Sequence, residues 1–494
     1  MMELCEFMHT SARMSRICLT HLPQPCTTFS RVREYNLPNA TIAPHSGKIS
    51  LYVVLIAVSA AISGLLFGYD TAVINGALVY LRIDFNLSPF ATEQVASVLL
   101  WGCAVGAALA GFMSDRYGRR VVLFIAGILF CISALGAAFP TQLWQLLVAR
   151  ALGGLAIGSA SLIAPLYIAE IAPAHARGKL VTLNQMAIVI GMLVAFMSNY
   201  ALAQLPRDNW RWMFGLGAIP AVALCISLLW IPESPRWLLQ RGRRQRAGKV
   251  LRQVSPGSDV ESALAEIEKA ISEETGTYRE LLSVALRKPM VLTMMLAIIQ
   301  QVTGVNTVLY YGAIVFAEHT GATAGQAIGM NVVVGIVNLV FTIAALIMID
   351  RLGRRPLLLT ATGGMGICLL AFAAMLRWLP GHSVLLLVPV LGYIACFGFG
   401  LGSGVWVCLS ELLPNRVRGR AMSVATMVLW ISVSLVTATF LSLIKLFTVE
   451  VVFLGYALLC AASFVYIHFN LPETKNRTLE EIASIWLKEK VPSK

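Results

Sequence analysis

The stretch Asp115-Arg-Tyr-Gly-Arg-Arg120, at the end of an apolar run, returns about 240 residues later as Asp350-Arg-Leu-Gly-Arg-Arg355. Two further landmarks repeat in the same order. Glu170 followed by Arg177-Gly178 is matched by Glu411 followed by Arg418-Gly419, and Pro232-Glu233-Ser234 is matched by Pro472-Glu473-Thr474. Three paired landmarks at nearly one offset, in hydrophobic surroundings, describe two homologous membrane halves joined in tandem.

Working outward, the 494 residues are 57% hydrophobic and only 13% charged, against roughly a quarter charged in soluble domains. Apolar runs lie near 51–80, 91–113, 120–139, 143–168, 179–203, 212–231, 289–316, 326–349, 356–377, 384–409, 420–445 and 450–470. Each is long enough to cross roughly 30 Å of hydrocarbon as a helix. The fold class that follows is an all-α membrane protein, with twelve transmembrane helices in two pseudo-symmetric six-helix bundles and a short intracellular helical linker. The expected boundaries are a disordered tail over 1–47, an N-terminal bundle over 48–231, a linker over 232–288, a C-terminal bundle over 289–472 and a tail over 473–494. In the linker, Val260, Leu264, Ile267 and Ile271 recur at helical spacing beside Glu266, Glu268 and Lys269, which predicts amphipathic helices under the bundle. They read equally as a tether or as a cytoplasmic latch.

The formal charge of +13 is topological rather than a footprint for nucleic acid, because the basic residues sit where loops meet membrane. Arg116, Arg119, Arg120, Arg177, Lys179, Arg351, Arg354, Arg355, Arg418, Arg420 and the stretch 236–252 all fall in the same set of alternate connections. That set is expected to be cytoplasmic, with both termini inside a plasma membrane, which for a bacterial host is the inner membrane. The cysteines past residue 47 all lie within apolar spans, so no disulfide framework is expected. No metal cluster, phosphate loop or nucleophile with its base stands out, and neither a cofactor nor an enzymatic activity is expected.

An ionisable group in hydrocarbon is costly unless it is paired or wetted, so the few charges within spans are functional candidates. Asp70 in the first span and Arg150 in the fourth fall at similar depth, where opposite charges can pair. Burial and a neighbouring arginine act on a carboxylate in opposite directions, which leaves it switchable, whereas arginine keeps its proton. Asp70 is therefore the proton-coupling candidate and Arg150 its partner; the plainer alternative is a fixed clip between two helices. In the seventh span, Gln300, Gln301, Asn306 and Tyr310 form an uncharged polar cluster around Gly304, joined by Gln185 and Asn338 from other spans. Amides and phenols suit a neutral polyhydroxylated ligand, and Trp406 and Trp430 offer flat faces to its C–H groups. The alternative is hydrogen bonding between helices as structural glue. The acids Asp115, Glu170, Glu233, Asp350, Glu411 and Glu473 beside Arg119, Arg177, Arg236, Arg354 and Arg418 suggest a cytoplasmic gate, with salt bridges made when the inner mouth closes and broken when it opens.

These residues carry a specific resemblance. Over about 48–485 the chain resembles the sugar porter family of the major facilitator superfamily, through Gly68-Tyr-Asp-Thr71, the two Asp-Arg-x-Gly-Arg-Arg loops, Pro232-Glu-Ser-Pro-Arg236, Gln300-Gln301 with Asn306 and Tyr310-Tyr311, and Pro472-Glu-Thr-Lys475. It is most similar there to bacterial proton-coupled symporters for xylose, galactose or myo-inositol. The resemblance implies that Gln185, Gln300, Gln301, Asn306, Tyr310, Asn338, Gly402, Trp406 and Trp430 contact the sugar and that Asp70 with Arg150 couples the proton. It implies a proton-coupled importer of a neutral monosaccharide or cyclitol, working by alternating access, functional as a monomer among lipids. A passive uniporter and a sugar sensor on a carrier fold are the alternatives. One departure stands out: Gly402 is followed by Ser403-Gly404 where the family often has Gly-Pro.

Overall fold

The computed structural model describes residues 50–475, except 174–175, 206–207, 257–258, 274–277, 284–285, 321, 379–382 and 415–416, together with 477 and 481. The expected tail over 1–47 and most of that over 473–494 lie outside the described residues. Ile49–Lys494 forms one compact unit.

Among the described residues, twelve helices are long and apolar enough to cross a membrane. Numbered in chain order as spans 1 to 12, they are Leu51–Asp84, Pro89–Tyr117, Arg119–Ala138, Leu143–Ile171, Arg177–Leu202, Asn209–Trp230, Arg287–Glu318, Ala324–Leu352, Arg354–Trp378, Val384–Glu411, Arg418–Phe447 and Val449–Asn470. Several run past the ends of the apolar stretches, because polar first and last turns are helical too; span 1 continues to Asp84 and span 2 begins at Pro89. Spans 1 to 6 form one half and spans 7 to 12 the other. The long contacts between halves are span 2 with span 11 and span 5 with span 8.

Small residues set how closely the helices approach. A Cβ at Gly68 of span 1 would stand 1.8 Å from the Ile188 carbonyl oxygen, and one at Gly191 of span 5 would stand 2.1 Å from that of Leu65. Reciprocal notches of this kind let two backbones touch where lipid supplies no hydrophobic drive. The expected linker helices are Pro235–Gln240, Arg244–Val254 and Val260–Glu273. Leu264 is buried, and it and Val260 reach Gly248 of the neighbouring helix. Arg244 ties these two helices from above through Glu261 and Glu268, each at 2.7 Å.

Three spans are not continuous α-helix. Span 7 breaks at Thr303-Gly304, where Gly304 has φ +86 and sits against the Tyr456 ring, and the freed Thr303 carbonyl accepts the Tyr393 hydroxyl at 2.8 Å. Span 6 is divided into Asn209–Gly215 and Ala218–Trp230. Span 10 carries a π turn over Phe397–Leu401. That turn stands just before Gly402 and places an extra residue in the helical ladder, with no proline at that point.

Candidate transport site and charge clusters

The end of the bundle that bears the arginine loops is built twice from the same parts. Gly118 and Gly353 have φ +104 and φ +93, a region open in practice only to glycine. This turn starts spans 3 and 9 abruptly and leaves their first backbone N–H groups without helical partners. Glu233 fills the gap in one half, accepting from Arg119 N at 3.0 Å and Arg120 N at 3.2 Å. Glu473 does the same in the other, accepting from Arg354 N and Arg355 N, both at 3.0 Å. A carboxylate at a helix N-terminus also meets the positive end of the helix dipole. The Pro-Glu-Ser and Pro-Glu-Thr repeats are thus remote helix caps, and the glycine of each Asp-Arg-x-Gly-Arg-Arg loop clears room for the capping acid.

The first arginine of each capped helix then turns inward. Arg119 forks onto Glu170, Nε to Oε2 at 3.0 Å and Nη2 to Oε1 at 3.0 Å, and reaches Asp115 at 3.3 Å. The Ser234 hydroxyl donates to Glu170 as well. In the second half Arg354 contacts Glu411 at 2.9 Å and Asp350 at 3.1 Å, and the Thr474 hydroxyl donates to Glu411 at 2.6 Å. Each cluster clamps spans of its own half. The bonds of Arg119 tie spans 2, 3 and 4 together, and those of Arg354 tie spans 8, 9 and 10 together. Arg177 is exposed, Arg418 bonds the Leu413 carbonyl oxygen of its own half, and Arg236 lies beside this cluster at the start of the first linker helix.

The two caps differ in electrostatics. Burial pushes the Glu233 carboxyl above its ordinary 4.5, and the N–H groups of Ser234, Arg120 and Arg119 offset this only in part. Glu473 is also raised by burial, but the N–H groups of Lys475, Arg354, Arg355 and Thr474 outweigh it and hold this carboxyl below 4.5.

At mid-membrane, Arg150 Nη1 donates to Asp70 Oδ1 at 2.5 Å, pairing spans 4 and 1 as their shared depth suggests. The Arg150 side chain is 1% exposed and that of Asp70 is 16%. Glycine at 153 makes the approach possible, since a Cβ there would lie 2.9 Å from Asp70 Oδ2. The guanidinium stands over the Phe214 ring at 5.4 Å, and its Nε has no hydrogen-bond partner. Beside Asp70, a cavity of about 20 Å³ lined by Tyr69, Ser133 and Phe214 has room for one water.

The uncharged cluster of span 7 is a relay that bridges its own helix break. Asn306 Nδ2 donates to Gln301 Oε1 at 2.5 Å, Gln301 Nε2 to Gln300 Oε1 at 3.2 Å, and Gln300 Nε2 to the Leu401 carbonyl oxygen at 2.8 Å. The last bond ends at the π turn of span 10, with Gly402 O a further acceptor at 3.3 Å. Part of the cluster therefore joins spans 7 and 10, while its remaining polar capacity faces the interior. The Trp430 ring lies 5.4 Å from that of Phe67 of the other half, tilted by 53°, and its indole Nε1 is buried without a partner. Asn338 lies across from Met192 of span 5 at 3.9 Å, Trp406 and Gln185 are partly exposed, and Tyr310 is buried. A larger cavity, about 520 Å³ around Tyr200, Gln326 and Val333, is away from all of these and mostly apolar.

Sequence reasoning missed two elements. Asn75 of span 1 donates to the Leu309 carbonyl oxygen at 2.8 Å and to Asn331 at 3.3 Å, tying the halves above the site. Glu93, in the second turn of span 2, is fully buried, so it joins Asp70 and Arg150 as an ionisable residue inside the spans. Asn75 lies one helical turn beyond Thr71 on the inward stripe of span 1, and that register was the available signal.

Two six-helix halves, a buried acid paired with an arginine, and a polar interior between them define a membrane carrier. The chain belongs to the sugar transporter family: the family model "Sugar (and other) transporter" matches residues 56–486. It is 36% identical over 477 residues to the D-xylose-proton symporter of Escherichia coli K12, covering 88% of this chain and 96% of that protein. To the arabinose-proton symporter of Bacillus subtilis it is 34% identical over 444 residues, covering 88% and 96%. A solved structure of a major facilitator superfamily proton:xylose symporter bound to 6-bromo-6-deoxy-D-glucose superposes with a TM-score of 0.76 at 34% identity, covering 88% of this chain and 99% of that one. The protein is a multi-pass membrane transporter and not an enzyme.

Proposed function

We propose that this transporter couples proton entry to the import of a neutral monosaccharide, by alternating access to a site between its halves. The observation that carries this reading is the Asp70–Arg150 pair at 2.5 Å. Arginine holds its proton under all physiological conditions, so only Asp70 can gain or lose one. Protonation of Asp70 removes the charge that holds Arg150, which frees spans 1 and 4 to shift and favours sugar binding from outside. Once the outer side closes, sugar and then proton leave inward. The similarity to xylose- and arabinose-proton symporters supports the same substrate class here; a cyclitol such as myo-inositol has the same donor and acceptor chemistry.

The sugar is held by Gln185, Gln300, Gln301, Asn306, Tyr310, Asn338, Gly402, Trp406 and Trp430. Trp430 contributes a free indole N–H, and the amide relay contributes acceptors already oriented by their neighbours. Sugar binding at Gln300 is thereby felt at the π turn of span 10, since one side chain touches both. The clusters around Arg119 and Arg354 keep each half rigid, so that the halves move as bodies rather than bend. The arginine-rich end faces the cytoplasm with both termini inside, the chain works as a monomer in the lipid of the plasma membrane, and nucleic acid and cofactors play no part.

The test is uptake of labelled pentoses, hexoses and inositols into energised vesicles, with and without a protonophore. Accumulation that collapses with the proton gradient supports symport. Equilibration unaffected by the protonophore identifies a passive uniporter instead.

A further inference from the structure

Glu93 is used by nothing above, although it is the most deeply buried carboxylate among the described residues of the spans, with 0% of its surface exposed. It lies in the second turn of span 2, at the end opposite the arginine loops, and its partner belongs to the other half. Glu93 Oε1 accepts the backbone N–H of Ser442 at 2.6 Å and Oε2 accepts the Ser442 hydroxyl at 2.6 Å. Ser442 is near the end of span 11 on the same side. Among the described residues, these are the only hydrogen bonds Glu93 makes, and no cation neutralises it.

The neighbouring turn of span 11 is held in the same manner from another direction. The Thr437 carbonyl oxygen accepts the Tyr311 hydroxyl at 2.8 Å, and Tyr311 stacks on Phe440 at 5.3 Å. Span 11 between Thr437 and Ser442 is thus gripped by span 7 of its own half and by span 2 of the opposite half. When the halves part on this side, the first grip persists and the second must break. The more exposed pair Arg82–Glu318, at 2.6 Å, crosses the same seam but remains in contact with water and contributes less.

We propose that Glu93 and Ser442 form the outer latch of the carrier, made each time the outer side closes and broken each time it opens. This rests on the alternating-access reading above. A carboxylate is suited to a latch that must release. In water it is strongly solvated, and in the closed seam it exchanges that solvation for two directed hydrogen bonds, so the closed state is held by a small difference between large opposing effects. The same two bonds can be made by a neutral amide, which gives up less solvation on burial. Glutamine at position 93 accepts the Ser442 N–H through its oxygen and donates to the hydroxyl through its nitrogen. It therefore tightens the latch, whereas alanine leaves the Ser442 N–H and hydroxyl buried without partners and weakens it.

The experiment measures the outer opening directly. Spin labels on cysteines introduced at Ile83 and Phe447, both exposed at the outer ends of spans 1 and 11, report the distance between halves in a full-length chain whose native cysteines are replaced. Against the parent, Glu93→Gln shifts the distribution toward the short distance by at least threefold in population ratio, and Glu93→Ala shifts it toward the long one by a similar factor. Ser442→Ala, which keeps the N–H and loses the hydroxyl, gives a smaller shift in the direction of Glu93→Ala and carries the test if that variant fails to fold. In uptake assays Glu93→Gln lowers the maximal rate at unchanged proton dependence. Unchanged distances in the variants, or a shift of the Gln and Ala variants in the same direction, overturn the latch. The distances are read without sugar or a proton gradient, so a passive uniporter would still pass or fail this test on its own terms.

Discussion

Replacing Gly118 with alanine tests the remote cap more sharply than removing the cap itself. Two costs arise at one position. A non-glycine residue held at φ +104 costs about 1–3 kcal/mol in backbone strain. The new methyl would also stand 2.3 Å from Glu233 Oε2, far inside contact distance, so the carboxylate must leave Arg119 N and Arg120 N, and loss of an N-cap costs about 0.5–2 kcal/mol. Together the substitution should destabilise the first half by about 2–5 kcal/mol. The assay is thermal or denaturant unfolding of the purified protein in detergent, run as a double-mutant cycle with Glu233→Ala. If the methyl acts through Glu233, Gly118→Ala in the Glu233→Ala background should cost only the backbone share, about 1–3 kcal/mol. Strict additivity of the two substitutions, or a single-variant cost within about 0.5 kcal/mol, which is the scatter of independent sites, would refute the reasoning.

The two capping acids should respond oppositely to pH. Glu473 is held below its ordinary 4.5, so its stabilisation is present above that value and fades as pH falls through its folded value; the deficit of Glu473→Gln should shrink on acidification. Glu233 is raised above 4.5, so its stabilisation is complete below 4.5 and is lost as pH rises through its folded value; the deficit of Glu233→Gln should shrink in the alkaline direction, and melting curves from pH 4 upward, about half a unit below the ordinary glutamate range, check both. Arg119→Lys should cost about 1–3 kcal/mol because an ammonium cannot reproduce the fork onto Glu170, and more than Arg354→Lys, whose site is wetter at 14% exposure against 5%; denaturant midpoints compare them. Trp430→Phe should leave stability nearly unchanged, because the indole N–H has no protein partner, while weakening sugar binding about tenfold, the worth of one hydrogen bond; calorimetric titration with the best substrate decides it.

Much of this architecture was readable beforehand for a physical reason. Hydrocarbon forbids unpaired backbone, so twenty apolar residues have one answer, and arginines confined to alternate loops order the answers in space. Asp70 and Arg150 were legible because counting residues along a helix gives depth. Glu93 was not, because it lies close to the start of the apolar run at 91 and only the fold brings Ser442 over it. The π turn in span 10 was hidden as well: Phe397–Leu401 holds no proline, and a π turn leaves no residue type as its mark. The acids near the arginine loops were legible as partners of arginine but not as caps, since the N–H groups they accept belong to a helix more than a hundred positions away in the chain, with Glu233 meeting Arg119. Side-chain orientation was beyond pattern altogether, as Gln300 shows by directing its amide nitrogen to the Leu401 carbonyl oxygen.

The central claim is that the carboxyl of Asp70 carries the transported proton. Sugar-induced proton uptake by vesicles containing Asp70→Asn tests it most directly, with counterflow of the same sugar measured in parallel. The account predicts that proton uptake and uphill accumulation vanish while counterflow persists. Sugar concentrated against its gradient by the Asp70→Asn protein would contradict it.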